Sequence, residues 1–407
     1  MWVRVLGCFV VFSIICLGCS NDDGIQLQNA SDQNPQILEG EPCVNGLSAG
    51  FPCDGVDLLS RIPLGIFSAS SGNDSWGWVD PQTNQEYALM GLNNGLAFID
   101  VTNPSSPIYL GKLPTKTNSS QWRDVKVYRN YAFIVAEAAN HGMQIFDLTK
   151  LRNVSTAPQT FTEDAHYNGF GNAHNIVINE DSGYAYAVGT QTFSGGPHFV
   201  DVRDPLNPTA AGGYETNGYS HDAQVVTYNG PDQDYQGAEI LIGSNENEVV
   251  IVNVSDKNAP VEISRTSYPQ IGYTHQGWFT DDQRYFIAGD ELDELNFGIP
   301  SRTLVFDFLD LDAPTLFFAH QGGTNAIDHN GYVHNGKFYL SNYTAGIRMF
   351  NLNEINNGLL QEESFFDTVP STSEADFTGV WNIYPYLPSG TLIVSDIRGG
   401  LFLLKEQ

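Results

Sequence analysis

Short apolar runs that end in an aspartate or asparagine and a polar turn recur along the chain. The pattern first appears at Leu96–Pro107, as LAFIDVTNPSSP. Near-copies are MQIFDLTKLRN, PHFVDVRDPLNP, VVIVNVSDKNAP, TLVFDFLDLDAP and IRMFNLNEINN, which start at Met143, Pro197, Val249, Thr303 and Ile347. A partial copy, LFLLKEQ, starts at Leu401. Six full copies and one partial copy, spaced about 50 residues apart, indicate an array of similar units.

Each repeat is preceded by two further short strands and followed by a fourth. A polar or aromatic pair opens the first of these strands, a turn follows, and a strand rich in Tyr and Phe comes next, as in YALMG from Tyr87. The fourth strand follows the proline of the repeat, as in PIYLGKLPT from Pro107. Four short antiparallel strands repeated seven times predict an all-β fold, a seven-bladed β-propeller of four-stranded blades.

The two ends of the array are incomplete in complementary ways. The seventh unit stops after its third strand, Leu401–Leu404, and a strand without a repeat stands alone at Val56–Leu64. This strand reads like the fourth strand at Val261–Thr266. We expect it to complete the last blade, which would close the ring and protect its edges. The sequence therefore predicts a single propeller domain over residues 43–407.

The acidic or amide residue that ends each repeat has a structural interpretation. Asp, and Asn in two copies, accept hydrogen bonds from the backbone of the turn that follows them. The recurring side chains are therefore predicted to form turns and to be poor candidates for catalysis: Asp100, Asp147, Asp201, Asn253, Asp307 and Asn351.

The net charge changes which partners are plausible. The chain carries 18 Lys and Arg against 47 Asp and Glu, a formal charge of −29 at pH 7. Nucleic acid is excluded as a partner, because its binding depends on clustered Lys and Arg. The acidic balance is compatible with binding of divalent cations, but it favours the simpler interpretation of a soluble, self-repelling surface.

The first 18 residues have the pattern of an export signal. Arg4 precedes an apolar run that is too short to span a membrane as a helix. The run ends in Leu17-Gly18-Cys19, which resembles the lipobox of bacterial lipoproteins, whose cysteine carries the lipid. We expect a lipoprotein signal peptide at 1–18, a lipid on Cys19 and a flexible tether over 19–42. The alternative is an ordinary secretory signal with an incidental cysteine.

The residues after Cys19 predict a location. The sequence SNDDG at 20–24 resembles the acidic tag that directs lipoproteins of Bacteroidetes-type bacteria to the outer face of the outer membrane. The predicted location is therefore the outer membrane, exposed at the cell surface and held there by the lipid alone. Of the five cysteines, Cys43 and Cys53 remain in the folded body, and in an exported protein we expect them to form a disulfide.

Several longer motifs resemble one family. They include YALMGLNNGLAFIDV, AHNIVINEDSGYAYAVGT, YTHQGWFTDDQRYF and YPYLPSGTLIVSDIRGGLFLL, and the resemblance covers about residues 43–405. They are similar to LVIVD-repeat proteins, specifically the choice-of-anchor B family of bacterial surface proteins. The resemblance implies a cell-surface propeller whose anchor here would be Cys19, and it implies no catalytic residues.

A column of histidines is the strongest candidate for chemistry. The residues that open the first strand of four consecutive units are His174, His221, His275 and His329. The first strand of a propeller blade lies beside the central channel, so the four imidazoles should gather at one mouth. Neutral imidazoles bind zinc, iron or copper, and the polar residue after each histidine would accept a hydrogen bond from the distal ring N–H. Carotenoid-cleaving iron oxygenases also place four histidines on a propeller axis, although the sequence resembles them in nothing else.

The histidine column has a second interpretation. Each histidine would tie one blade to the next by a repeated structural hydrogen bond, copied with the unit. Arg123 and Trp381 occupy the aligned position in other units, which favours this interpretation. Both interpretations are open at the level of the sequence.

An acidic cluster is the other candidate site. It follows the second strand of the fifth unit and consists of Asp290, Glu291, Asp293 and Glu294. Hard carboxylate oxygens suit calcium, but the spacing does not match an EF-hand loop. The alternatives are a solvated acidic loop or a pair of hydrolase carboxylates.

Two functions from different classes are compatible with these features. The first is a surface-anchored binding or scaffolding module that engages a protein or a glycan, with Trp76, Trp78 and Trp278 as candidate contacts for a sugar. The alternative is a metal-dependent hydrolase or oxygenase centred on the histidines. No catalytic residue is identified, since the sequence contains no GxSxG or HExxH motif and no phosphate-binding glycine loop.

Overall fold

A computed structural model describes residues 35–407. The predicted signal peptide, the lipidation site Cys19 and most of the predicted tether lie outside the described residues. Four strands precede the repeat array: β1 Leu38–Glu39, β2 Leu47–Ser48, β3 Phe51–Asp54 and β4 Val56–Ile62. Among the described residues, no helix is long and apolar enough to cross a membrane.

The repeat array forms the blades in chain order. Blades 1 and 2 contain β5 Gly72–Val79, β6 Glu86–Leu92, β7 Gly95–Asp100, β8 Ile108–Pro114, β9 Arg123–Tyr128, β10 Tyr131–Ala136, β11 Met143–Asp147, β12 Gln159–Thr160 and β13 Ala165–Tyr167. Blades 3 and 4 contain β14 Asn175–Asn179, β15 Tyr184–Val188, β16 His198–Asp201, β17 Thr209–Gly213, β18 Asp222–Thr227, β19 Glu239–Ser244, β20 Val249–Asn253 and β21 Val261–Thr266.

The remaining blades follow the same order. Blades 5 to 7 contain β22 Thr274–Phe279, β23 Tyr285–Asp290, β24 Arg302–Asp307, β25 Thr315–Gln321, β26 Gly331–His334, β27 Lys337–Ser341, β28 Ile347–Asn351, β29 Gln361–Phe366, β30 Val380–Tyr384, β31 Thr391–Asp396 and β32 Gly400–Glu406. The short helices of the described chain are α1 Asp293–Phe297 and the 3-10 turns Leu64–Phe67, Leu148–Asn153, Phe193–Gly195, Gln233–Tyr235 and Ile355–Asn357.

These strands form seven antiparallel sheets. The first strand of each blade contacts the first strand of the next, and β30 contacts β5, so the seven inner strands close a ring. The prediction of a seven-bladed β-propeller is confirmed.

The last blade is closed by the two ends of the array, as predicted. Strand β4 pairs antiparallel with β32, from Leu401 opposite Ile62 to Glu406 opposite Val56. The register of this pair shifts between Leu403 and Leu404. The same shift occurs between the third and fourth strands of blades 1, 3, 4, 5 and 6. Strand β4 is therefore the fourth strand of blade 7, with the antiparallel pairing and the register shift of the other fourth strands.

Apolar side chains of adjacent blades interlock to form the core. Between blades 1 and 2, Phe98 and Phe146 stack with ring centroids 4.6 Å apart, and both are fully buried beside Leu89 and Ile134. Because each strand presents alternate side chains to opposite faces, every sheet buries one face against each neighbour. This explains why the strand sequences are continuous runs of apolar residues.

The repeated Asp and Asn side chains form turns, as predicted. In all six copies the side-chain Oδ1 accepts a hydrogen bond from the backbone N–H two residues later, at 2.7–3.0 Å. These side chains are therefore engaged in their own turns.

The residues before the array pack on blades 6 and 7. Cys43 and Cys53 form the predicted disulfide, with their Cα atoms 6.1 Å apart. Strand β3 pairs with β29 at the outer edge of blade 6, and β1 pairs with β4 at the edge of blade 7. Strand pairing thus begins at Leu38, inside the range 19–42 that the sequence predicts to be a tether.

Candidate metal centre at the channel mouth

Four histidines from four consecutive blades form a row at the start of the inner strands. Ring centroids are 4.1 Å apart between His174 and His221, 4.4 Å between His221 and His275, and 4.3 Å between His275 and His329. All four are buried, with at most 9% of their surface exposed. The structure therefore brings the predicted histidines together.

Two of the histidines are held by the blade that follows. Nδ1 of His221 donates to the backbone oxygen of His275 at 3.2 Å, and Nδ1 of His329 donates to the backbone oxygen of Trp381 at 2.5 Å. Because a neutral imidazole carries only one N–H, the Nε2 of each ring keeps its lone pair. The blade-to-blade hydrogen bond thus leaves one ring nitrogen able to bind a metal, and the two interpretations of the column are compatible.

The third member of the row has an unsatisfied ring nitrogen. Nδ1 of His275 is buried and has no hydrogen-bond partner among the described residues. A buried polar atom without a partner costs about 1–3 kcal/mol, and an ordered water or an ion is one way to satisfy it. Burial lowers the pKa of His275 and of His221 well below the ordinary value, which keeps both rings neutral.

A carboxylate completes the group. Glu291 follows the second strand of blade 5, and its two oxygens each lie 3.7 Å from a histidine Nε2, one from His275 and one from His329. Tyr343 donates its hydroxyl hydrogen to Oε1 of Glu291 at 2.7 Å. Burial raises the pKa of Glu291 to about 7. One ligand atom from each of His221, His275 and Glu291 lies within 4.8 Å of the other two.

His174 stands at the end of the row and has another partner. Its Nδ1 donates to Oε1 of Glu137 at 2.7 Å, and Glu137 belongs to the neighbouring blade 2. His174 lies outside the three-residue group of His221, His275 and Glu291. It therefore flanks the candidate metal centre.

The polar residues that follow the histidines play a different role from the predicted one. They do not accept the ring N–H groups: those of His221 and His329 donate to backbone oxygens, and that of His174 donates to Glu137. Oδ2 of Asp124 accepts from the backbone N–H of Ile176 at 2.7 Å, and Oε1 of Gln276 accepts from that of Gly331 at 3.0 Å. Hydrogen bonds of this kind join the inner strands blade to blade through Asp74, Asp124, Asn175, Gln276, Asn330 and Asn382.

Arg123 and Trp381 take the histidine position in blades 2 and 7. The Arg123 guanidinium turns between blades, where it donates to the backbone oxygen of Leu92 and contacts Nε2 of His141 at 3.0 Å. Trp381 lies against His329, with ring centroids 4.8 Å apart. Neither residue adds a ligand, so the candidate centre lies on one side of the channel.

The four predicted acidic residues do not converge. Asp290 accepts backbone N–H groups from Gly272 and Tyr273, both at 2.7 Å. Asp293 pairs with Arg302 at 2.6 Å, and Glu294 accepts from the backbone of Arg302. Only Glu291 reaches the histidines, and the calcium assignment for the other three stays a prediction.

Comparison with known proteins supports the fold. The LVIVD-repeat family model matches residues 84–115 and 240–267, so the chain carries LVIVD repeats in blades 1 and 4. No curated protein matches the sequence. The hydrazine synthase of Kuenenia stuttgartiensis is similar in structure, with a TM-score of 0.54 and 8% identity, covering 79% of this chain and 92% of that chain. The Cps50 (Swd1) β-propeller domain of Myceliophteria thermophila is also similar, with a TM-score of 0.52 and 9% identity. The match covers 83% of this chain and 97% of that chain. At such low identity the likeness concerns the fold alone.

Proposed function

We propose that this protein is a surface-anchored β-propeller that binds one divalent transition-metal ion at its channel mouth. The observation that carries the proposal is the group of His221, His275 and Glu291, whose ligand atoms lie within 4.8 Å of one another. Two imidazoles and one carboxylate are a donor set typical of zinc and of ferrous iron.

The electrostatics of the group favour a proton or a metal ion. Nε2 of His329 and Oε1 of Glu291 both carry lone pairs and face each other at 3.7 Å. Two acceptors at this distance repel unless a proton or a metal ion lies between or beside them.

Three protein ligands leave room for a further one. Structural zinc sites have four protein ligands, whereas sites that bind water or substrate have three. The centre therefore supports a binding role in which a partner places an oxygen or nitrogen atom on the metal. A metal-dependent hydrolase is the second candidate, and the open coordination position favours it because metal-bound water becomes a nucleophile at neutral pH.

Anchoring at the cell surface through Cys19 is part of the proposal. The support for it is the resemblance of Leu17-Gly18-Cys19 to a lipobox. Full-length protein should partition into detergent and label with fatty acid, and Cys19→Ser should abolish both. Labelling that persists in Cys19→Ser would contradict the anchor.

Metal analysis of the full-length chain tests the centre. We expect about one zinc or iron ion per chain, and loss of most of it in His221→Ala and in His275→Ala with circular dichroism unchanged. His334→Ala is the matched control, because His334 lies at the far end of the inner strand of blade 6 and contacts Asn335. Purified protein without metal that also fails to take up zinc would refute the proposal.

An activity assay separates the two candidates. Zinc-loaded and iron-loaded protein are incubated with activated esters, and with oxygen and an aromatic substrate, in the presence and absence of a chelator. Chelator-sensitive turnover that is lost in His275→Ala supports the enzyme, and metal binding without turnover supports the binding module.

A further inference from the structure

A cavity of about 230 Å³ lies in the channel, away from the histidines. Its polar and aromatic lining comes from Trp76, Lys126, Gln224 and Trp278, with Glu180 among the other lining residues. Gln224 and Trp278 stand three residues after His221 and His275 on the same strands. At roughly 3.3 Å per residue, the cavity is about 10 Å further along the channel than the imidazoles.

The wall formed by Trp76 of blade 1 and Trp278 of blade 5 is aromatic and is supported by Tyr332 of blade 6. Trp278 packs edge-on against Tyr332, with ring centroids 4.9 Å apart, and Tyr332 contacts Trp76 in the same way at 5.8 Å. Both indoles are half-buried. They are therefore held by neighbouring rings, and each keeps some surface free at the cavity.

The facing wall carries hydrogen-bonding groups. Oε1 of Gln224 accepts from the backbone N–H of Phe279 at 2.9 Å, and the described residues provide no acceptor for its Nε2. Glu180 is exposed at the rim and offers two further acceptor oxygens. Convergent donors and acceptors opposite an aromatic surface are typical of a small-molecule site.

The charges around the cavity select the ligand. The ammonium of Lys126 is neutralised by Asp124 at 2.5 Å and Asp74 at 3.2 Å, so it has no charge to offer an anion. The same ammonium lies 4.6 Å from the centre of the Trp76 ring, so it already occupies the indole face on which a cationic ligand would sit. A neutral molecule with one apolar face and several hydroxyls fits both walls.

We infer that this cavity binds a neutral sugar, a single pyranose ring with its C–H face on Trp278 and its hydroxyls on Gln224 and Glu180. The C–H face of a pyranose is flat enough to stack on an indole, and its edge hydroxyls donate and accept hydrogen bonds. The inference is independent of the metal centre. A free hexose and the terminal unit of a glycan share this chemistry.

Tryptophan fluorescence of the full-length chain tests the inference. Glucose, galactose, mannose and N-acetylglucosamine are titrated with their methyl glycosides, and choline and acetate serve as charged probes. We expect saturable binding of at least one neutral sugar and none of either charged probe. Binding of the methyl glycoside identifies the end of a glycan, and binding of only the free sugar identifies a monosaccharide.

Variants place the binding in the cavity. Trp278→Ala and Gln224→Ala should each weaken sugar binding by roughly tenfold or more while the melting temperature shows that the propeller is folded. Val177→Phe fills the cavity and should abolish binding without removing any polar group. Trp122→Ala is the control, because Trp122 is 46% exposed and precedes Arg123, outside the cavity.

Two results would overturn the inference. One is that no neutral sugar produces a saturable change in fluorescence or in heat. The other is that folded Trp278→Ala and Val177→Phe bind the sugar as tightly as the parent protein. Retention of metal by both variants would show that the two sites are separate.

Discussion

Nδ1 of His221 lies 3.2 Å from the backbone oxygen of His275 and donates to it. The contact joins blade 4 to blade 5 and at the same time fixes which nitrogen of His221 carries the proton. A structural bond between blades and a free lone pair on Nε2 are thus two consequences of one geometry. Sequence reasoning sets the structural and the metal-binding interpretations against each other, whereas this geometry is compatible with both.

Glu291→Gln should remove the metal while leaving the propeller intact. The amide has only one oxygen that accepts and no charge, so it is a weaker metal ligand. We expect zinc affinity to fall by more than the 10- to 100-fold that is common for outer-shell partners. Isothermal titration of metal-stripped protein with zinc measures the change.

Glu137→Gln is the matched control for that prediction. Glu137 holds His174 at 2.7 Å and lies outside the group formed by His221, His275 and Glu291. Zinc affinity should stay within about threefold of the parent value. Equal losses of zinc affinity in Glu137→Gln and Glu291→Gln would show that His174 also belongs to the metal centre.

Acid should destabilise the protein through two buried histidines. Burial lowers the pKa of His141 and of His198 to about 4. An exposed histidine in the unfolded chain titrates near 6.5, so between these values the unfolded state binds more protons. The free energy of unfolding therefore falls as the pH drops from about 6.5 to 4, by an order of 1–3 kcal/mol for each residue.

Denaturant titrations at pH 7 and pH 5 measure this loss. His141→Gln should lose less stability over that interval than the parent protein, because glutamine does not titrate. A variant and a parent with the same pH dependence would contradict the assignment to His141.

Val56→Ala should show that the closing strand is part of the core. Val56 begins β4, is fully buried and packs near Phe402 and Leu404. We expect a loss of about 2 kcal/mol in the free energy of unfolding. Val261→Ala makes the same change at the first residue of β21, where 60% of the side chain is exposed, and should cost less than about 0.5 kcal/mol. Equal costs would argue against closure by β4.

Asp147 should tolerate asparagine and not alanine. Its Oδ1 accepts from the backbone N–H and the hydroxyl of Thr149, at 2.9 and 2.7 Å. Asparagine keeps that oxygen, as Asn253 and Asn351 do in other blades. Asp147→Ala should lower the free energy of unfolding by about 1 kcal/mol, and Asp147→Asn by a few tenths. Thermal melts of the parent protein and both variants measure these differences, and equal losses in the two variants would contradict the prediction.

The fold could be predicted because each repeat contains the local sequence signals for its own strands and turns. Apolar alternation, a turn-forming Asp or Asn and a following proline recur in register, and the unpaired strand at Val56 matches the missing one. The sequence alone does not locate the start of the first strand of blade 1. Strand β5 starts at Gly72 and shifts register before Ser75, so Trp76 aligns with Lys126 and Trp278 and not with Arg123. Such a bulge leaves no sign in the apolar pattern.

The candidate centre could be predicted only in part. Alignment of the repeats predicts that the four histidines lie at one mouth of the channel, because they occupy the same position in equivalent strands. It does not reveal which of the four acidic residues within 290–294 turns inward, since that depends on the backbone of the loop before α1. The hydroxyl of Tyr343, which orients Glu291, comes from the next blade and has no counterpart in the repeat.

The pairing of β4 with β32 imposes an order on folding. The strand that completes blade 7 is made before any blade, and its partner, Gly400–Glu406, is made after blades 1 to 6. A nascent chain that holds blades 1 to 6 still has two open ends, and the ring closes only after residue 406 is available. Contacts between segments so far apart in the sequence form slowly. We therefore expect the pairing of β4 with β32 to limit the rate of folding.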